Sequence, residues 1–321
     1  ARKTIVVDND IGVVNRARQA GTVEHVIETQ RNYRTYLAAL RPHQWLKNCL
    51  VFIAMLAAHQ LTIVTLAHSI AVIITLSLCA SSTYLINDLL DLPDDRRHAT
   101  KSQRPLAAGD IPLIHAVFAV PVLLALAFFL ALVILPPVFA GVLFAYILIT
   151  LTYSIVLKRL AIIDVLTLGA LYTLRIIAGG AATGIAISDW LLAFSLLLFL
   201  ALAIVKRLIE IVAEENAGEN ALSGRGYRSS DRSVLGQLAT ASGIGAVIVL
   251  ALYIKSEQVM EAYGQPAWLW GVCVLLIYWV SRMLMLAQRG EMNDDPVVFA
   301  ATDRVSIGVV VLAGLTVIMA V

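Results

Sequence analysis

The sequence predicts an all-α polytopic membrane protein, and three observations predict it. Of 321 residues, 60% are hydrophobic and 14% are charged, with a mean hydropathy of +0.83. A soluble domain carries about 45–50% apolar and about 25% charged residues, and a soluble chain of this size still needs a large polar surface. The apolar residues gather in runs near the length of about 20 that crosses a bilayer as a helix. The lysines and arginines collect between every second pair of runs. A soluble enzyme, a secreted disulfide scaffold and a disordered chain are excluded. The formal charge of +2 decides nothing by itself; where the charges sit decides a great deal.

Nine spans are expected, over 49–66, 68–86, 112–134, 137–157, 161–183, 189–205, 234–254, 267–287 and 305–321. His59 and Gln60 interrupt the first, so 49–86 also reads as one helical hairpin with a tight turn. Pro136 and Pro137 separate the third span from the fourth. Of the 24 basic residues, all but Arg175, inside a span, and Lys255 fall on one side of the spans. The positive-inside rule makes that side cytoplasmic, so the expected location is the cell (inner) membrane, with the N-terminus inside and the C-terminus outside. The outer connections at 57–68, 134–137 and 184–189 are short, whereas the inner loops at 87–111 and 206–233 are long and carry both signs of charge. Chemistry is therefore expected on the cytoplasmic face.

Residues 1–35 form a polar segment with no chemistry expected, ahead of a transmembrane domain over 36–321. Ile5-Val6-Val7 is too short for a signal peptide, and without an initiator Met the sequence reads as trimmed or as a remnant of something larger. Cys49, Cys79 and Cys273 lie far apart in apolar runs, form no CxxC pair, and read as small packing residues. Gly243-x-Gly245 reads as helix packing. No internal repeat is visible, which weighs against repeat-built transporters, and nothing points to nucleic acid.

The first constellation is Asn87-Asp88-Leu-Leu-Asp91-Leu-Pro-Asp94-Asp95. On a helix Asp88, Asp91 and Asp95 fall at i, i+3 and i+7, on one face, while Asp94 points elsewhere. Three carboxylates on one stripe repel one another unless a cation neutralises them. Oxygen-only ligands argue for Mg²⁺, with Mn²⁺ as a substitute. Pro93 weakens the helical reading beyond Asp91, which makes Asp95 the weakest of the three metal ligands. Mg²⁺ binds through a few carboxylates plus substrate phosphate oxygens, so a diphosphate substrate is expected. The basic cluster Arg96, Arg97, His98, Lys101 and Arg104 follows at once.

This run, continuing to Arg104-Pro105-Leu-Ala-Ala-Gly109, resembles the first motif of the UbiA-type intramembrane prenyltransferase superfamily. The resemblance implies a nine-helix bundle with a cytoplasm-facing cavity and Mg²⁺-bound diphosphate. A second acidic motif is expected after the fourth span; here only Asp164 is acidic, and Leu168 stands where another carboxylate would be. Arg41-Pro42-His43-Gln44-Trp45-Leu46-Lys47-Asn48, Ser223-Gly224-Arg225-Gly226-Tyr227 and Asp294-Asp295-Pro296 resemble the decaprenyl-phosphate phosphoribosyltransferase branch.

That branch implies transfer of 5-phosphoribose from phosphoribosyl pyrophosphate (PRPP) to a polyprenyl phosphate. Asp88, Asp91 and Asp95 would hold the metal–diphosphate, with Asn87 beside them. Lys47, Lys101, Arg104, Lys158 and Arg159 would clamp phosphate through charge-assisted hydrogen bonds; orientation and anionic-lipid binding is the plainer role for any one of them. Tyr153, Asp164, Lys206, Arg225 and Tyr227 complete the expected substrate contacts. Arg175 lies on one helical face with Asp164, about 16 Å away by rise. It is expected to meet a phosphate, the alternative being a structural ion pair, and Tyr172 lines the cavity or packs the core. Lys206 and Glu210 are spaced to pair at i, i+4, and the glycines around 224–226 suggest a mobile lid. Prenyl transfer from a polyprenyl diphosphate to an aromatic acceptor is the alternative activity. A transporter or scaffold is a third reading, and a homo-oligomer is compatible with the sequence.

Overall fold

The computed structural model describes residues 3–7, 11–20, 22–27, 33–97, 101–216, 225–292 and 295–321. The chain divides into two compact units, Ala1–Pro42 with Ala80–Ala125 and His43–Cys79 with Leu126–Val321. The helices are α1 (Ile11–Ala20), α2 (Tyr33–Ala39), α3 (Phe52–Ala57), α4 (Ile63–Leu90), α5 (Leu92–Asp95), α6 (Pro105–Ala108), α7 (Leu113–Ile134), α8 (Pro137–Ile155), α9 (Ile163–Thr183), α10 (Asp189–Asn216), α11 (Arg232–Ile254), α12 (Glu257–Ala262), α13 (Trp270–Gln288), α14 (Pro296–Thr302) and α15 (Arg304–Ala320). Among the described residues, seven helices are long and apolar enough to cross a membrane: α4, α7, α8, α9, α10, α11 and α13. The pair α14–α15, bent by 78°, makes an eighth if counted as one span.

Three expectations need correction. The stretch 49–66 is not one helix. A 3₁₀ run over Pro42–Val51 leads into the six-residue α3 and then a turn, where His59 takes a positive φ of 52° and Thr62 caps α4 by accepting from the Thr65 amide at 3.1 Å. Residues 206–216, assigned to a loop, continue α10, because Leu208, Ile211 and Val212 keep an apolar stripe buried past the charged residues. Within the polar 1–35 segment, ahead of the helical domain, β1 (Lys3–Val7) and β2 (Thr22–Ile27) pair in parallel across α1, consistent with the β preference of their Ile and Val residues. Cys49 is exposed, whereas Cys79 and Cys273 are buried.

In the first unit, the second half of α4 packs against α2, α6 and the start of α7. Ala39, Leu85, Leu106, Ile111 and Ala116 form its apolar core. Hydroxyls tie the backbone there: Ser81 donates to the Leu40 carbonyl at 2.9 Å and Ser82 to the Val120 carbonyl at 3.3 Å. Gly109, at φ +83°, closes the single turn of α6, a conformation that costs glycine little.

In the second unit, α9, α10, α11 and α13 share a core that includes Val165, Ile176, Leu208, Ile211, Leu235 and Met283. Lipid tails are as apolar as leucine, so helices in a bilayer gain by close packing rather than by escaping water. Small residues make that packing available. A Cβ on Gly243 would lie 2.4 Å from Val280 Cγ1, so α11 and α13 meet there as the Gly243-x-Gly245 pattern expected. A Cβ on Gly179 would lie 2.3 Å from the Val51 carbonyl oxygen. Gly179→Ala should therefore cost about 1–3 kcal/mol through overpacking and lower the thermal midpoint in detergent. Gly141→Ala, with open space around the new methyl, should leave the midpoint unchanged or raise it.

Candidate functional site

In the first unit, α4 ends at Leu90, Asp91 forms a bend, and Pro93 starts the separate turn α5. The three-carboxylate stripe is therefore not carried by one continuous helix. Asp88 and Asp95, each 3% exposed, converge on one guanidinium. Arg104 donates from Nη1 to Asp88 Oδ1 at 3.2 Å and to Asp95 Oδ2 at 2.6 Å. Arg41, at a positive φ of 53°, donates to Asp88 Oδ1 at 2.5 Å and lies 5.0 Å over the Tyr84 ring. Asp91 accepts the Asp94 and Asp95 amides on its carbonyl at 3.0 and 2.9 Å, and Asp94 is exposed. Asn87 Oδ1 is buried with no hydrogen-bond partner among the described residues. Among those residues no three acidic, His or Cys side chains converge as a ready metal cage.

The second unit carries two clusters. In one, the Lys47 and Lys206 ammonium groups donate to Asp295 Oδ2 at 2.7 and 2.9 Å, and the Tyr172 hydroxyl donates to Asp295 Oδ1 at 3.1 Å. Burial alone would raise the Asp295 carboxyl, but the Lys206 and Lys47 ammonium groups hold it well below the usual carboxylate range. Burial pushes Lys47 down to about 7, with Lys206 and Arg175 adding to the fall against the pull of Asp295. Arg175 is satisfied within the protein: Nε donates to Asn48 Oδ1 at 3.0 Å, Nη1 to the Leu171 carbonyl at 2.6 Å and Nη2 to the Tyr146 hydroxyl at 3.2 Å. Its guanidinium also lies 5.3 Å over each of the Tyr146 and Tyr172 rings.

The other cluster centres on Asp164 and Arg207, both 0% exposed. Arg207 donates to Asp164 from Nε at 2.6 Å and Nη2 at 3.1 Å, and to the Tyr153 hydroxyl at 3.0 Å. The Tyr153 hydroxyl donates to Asp164 Oδ1 at 2.9 Å. Glu210 binds Arg207 and, at 3.2 Å, Arg225 Nε. The i, i+4 pairing of Lys206 with Glu210 is thus replaced by contacts to Asp295 and Arg207. Tyr227 is buried and its hydroxyl accepts from the Ile162 amide at 2.9 Å. Ile162 takes φ +68°, a costly conformation for a β-branched residue. Gly226 fits against that turn: a Cβ there would lie 2.8 Å from the Arg159 carbonyl. Leu168 packs against the apolar core.

Of the residues expected from sequence, Asp88, Asp95 and Arg104 come together, as do Lys47 and Lys206, and Tyr153, Asp164, Arg225 and Tyr227. Lys101 is exposed and Lys158 is half-buried in the turn between α8 and α9. Ser223, Gly224, Asp294 and His98 lie outside the described residues. Four participants were not singled out as site residues: Arg41, Arg207, Asp295 and Asn48. Arg41, Asn48 and Asp295 stand in motifs already noted, but Arg207 looked like one more basic residue at a helix end.

Spanning apolar helices with buried charge clusters at their ends define a polytopic membrane protein. The profile of the UbiA prenyltransferase family matches residues 49–302, and the chain belongs to that family. It is 34% identical over 315 residues to the uncharacterized protein y4nM of Sinorhizobium fredii, covering 95% of this chain and 60% of that one. The chain thus spans 60% of the length of that relative. It is 34% identical over 275 residues to the nodulation protein NoeC of Azorhizobium caulinodans (86% and 89% covered). It is 32% identical over 279 residues to the decaprenyl-phosphate phosphoribosyltransferase of Mycolicibacterium smegmatis (84% and 86%). A solved structure of a UbiA homologue from Archaeoglobus fulgidus, bound to GPP and Mg²⁺, superposes with a TM-score of 0.67 at 18% identity, covering 88% of this chain and 99% of that one.

Removing one partner of a buried ion pair strands the other charge, at about 3–5 kcal/mol. Arg207→Met should therefore sharply lower the thermal midpoint in detergent. Arg207→Met with Asp164→Leu and Glu210→Gln should recover part of the loss, and a double-mutant cycle on the Arg207–Asp164 pair would measure the coupling.

Proposed function

We propose that the chain transfers 5-phosphoribose from PRPP to a polyprenyl phosphate, releasing diphosphate. The observation that carries this reading is the balance of buried charge. Asp164, the acidic residue of the second motif, is taken up by Arg207. Asp295 stands with Lys47, Lys206 and the nearby Arg175, an excess of positive charge suited to an anion. Donor and acceptor in this reaction bring a diphosphate, a 5-phosphate and a lipid phosphate, whereas a prenyl diphosphate brings one anionic head. The similarity to the Mycolicibacterium enzyme supports the same assignment.

Mg²⁺ fits the first unit. Asn87 Oδ1 is a buried acceptor with no donor among the described residues, next in sequence to Asp88, which with Asp95 converges on Arg104, and Mg²⁺ needs only one or two carboxylates alongside substrate phosphates. Asp88, Asp91 and Asp95 would hold it. When bound, the metal neutralises charge on the departing diphosphate. Arg104 and Arg41 reorient from carboxylate to phosphate oxygens as the donor binds. Within the second unit, Lys47 and Lys206 would meet a phosphate, with Lys158 and Arg225 as further partners; within the first, Lys101 would do so. Arg175, held by Asn48, Tyr146 and Leu171, positions Tyr172 and the Lys47 segment and sustains the positive field. The acceptor phosphate is already anionic and attacks the anomeric carbon from the face opposite the leaving group, so no strong general base is required. Stabilising the leaving group is the main catalytic effect. The positive-inside pattern supports a site on the cytoplasmic side of the cell membrane.

Radiolabelled PRPP with a polyprenyl phosphate should yield a labelled lipid with Mg²⁺ and none with EDTA, and Asp88→Asn should lower the rate about 100-fold or more. Turnover of a polyprenyl diphosphate with an aromatic acid, and no labelled lipid from PRPP, would instead establish aromatic prenyl transfer. The pH dependence is a second test. Lys47 is cationic below about 7 in the free protein, so PRPP affinity should fall as pH rises through 7 to 8. Lys47→Arg should flatten that fall, because arginine stays charged; binding measured across pH by titration calorimetry checks it.

A further inference from the structure

The helices α14 and α15 of the second unit meet at 78°, and the corner between them is Asp303, whose backbone is extended. Its carboxylate is held from two sides. Arg282 on α13 donates to it from Nη1 at 2.7 Å and from Nη2 at 3.1 Å. The Ser306 amide and hydroxyl, in the first turn of α15, each donate to Oδ2 at 2.8 Å. The Trp279 indole N–H donates to that same hydroxyl at 2.9 Å. Trp279 and Arg282 are three residues apart on α13 and so share a face. A guanidinium that binds a carboxylate through two nitrogens fixes orientation as well as distance. The transfer proposed above uses neither Arg282 nor Asp303.

What the corner holds in place is α14. A helix of seven residues is about two turns long and marginal by itself, so its position depends on what fastens it. Val297 and Phe299 pack against the apolar core, and an aspartate stands at each end. At the start, Asp295 Oδ1 accepts from the Val297 amide at 3.2 Å and its carbonyl from the Phe299 amide at 2.8 Å. At the far end the Asp303 amide donates to the Phe299 carbonyl at 2.8 Å. Asp295 and Asp303 are therefore the two ends of one piece about 12 Å long. The first end serves the charged cluster. Lys47 is faced there by Asp295, by Lys206 on α10, and by Arg175 and the Tyr172 ring on α9. Of these four, only Asp295 is negative, so where it stands decides how easily Lys47 holds its proton.

We propose that Arg282 is a positioning residue for the Lys47–Lys206 site: by clamping Asp303 it fixes α14, and α14 sets where Asp295 stands between the two ammonium groups. Arg282 touches no substrate and acts through α14. The inference rests on the reading of that cluster as an anion site, but not on which phosphorylated substrate it takes.

The test reads the pH at which Lys47 loses its proton. In the full chain in detergent, competitive acetylation with isotope-labelled acetic anhydride, mapped by mass spectrometry, gives a midpoint for Lys47, near 7 in the wild type. Arg282→Met and Asp303→Asn should each lower it by about one pH unit or more, because an opposite charge in contact is worth about 1–3 pH units and Asp295 withdraws in both. Acting only through space, the two changes would move Lys47 in opposite directions, since one removes a cation and the other an anion. The double variant should shift no further than either single one. Thermal melting reports folding, and should Arg282→Met fail to fold, Arg282→Lys, with one contact in place of two, is measured instead. Folded variants that melt earlier with Lys47 unmoved would show a staple between α13 and α15 and nothing more, which overturns the proposal, as would shifts of opposite sign. Inorganic diphosphate tests the anion site apart from this. It should raise the wild-type midpoint, and no rise would sink that reading while the comparison of the variants, made without ligand, still decides the role of Arg282.

Discussion

Asp164 on α9 and Arg207 on α10 are both fully buried, and each is tolerable only because of the other. The cost of desolvating two charges is recovered only with good geometry and every remaining hydrogen bond satisfied. Tyr153 and Glu210 complete that set, and Arg225 completes Glu210 in turn. The pair fixes which turn of α9 faces which turn of α10, so it sets the register on which Tyr172 and Lys206 both reach Asp295. It also anchors the segment through Tyr227, whose hydroxyl holds the amide of the strained Ile162. Charge balance at one point thus organises three separate stretches of sequence.

The two units handle charge in opposite ways. In the first, two buried carboxylates are held by the guanidinium groups of Arg41 and Arg104. In the second, ammonium groups outnumber the carboxylate they surround, which leaves Asp295 strongly ionised and Lys47 easily deprotonated. Buried like charges gathered at one point mark a candidate functional site. Chemistry that depends on stabilising a leaving group needs charge held in place before the reaction begins, and buried side chains on packed helices provide it.

The spans were legible because hydrophobic length is a property of the chain alone, and seven of them appear close to where the runs place them. The acidic residues at 88, 91 and 95 were legible as a set, although the bend at Asp91 breaks the helix that the spacing assumed. Asp95 nonetheless joins Asp88 because Arg104 draws both carboxylates together, a long-range contact that spacing does not encode. The first span and the loop at 206–216 were misread for related reasons. A stretch of mixed polarity folds according to what packs around it, and Arg207 is buried only because Asp164 waits on another helix.

The sequence by itself determined that this protein lives in a membrane, which connections carry its charges, and where an acidic motif is followed by basic residues. Those are sums and spacings along one chain. Tertiary structure decided the partners. It gave Asp164 to Arg207, Asp295 to two lysines and Arg175 to Asn48 and Tyr146. Coulomb energy and packing depend on distance in space, and residues 47, 206 and 295 become neighbours only when the helices are assembled.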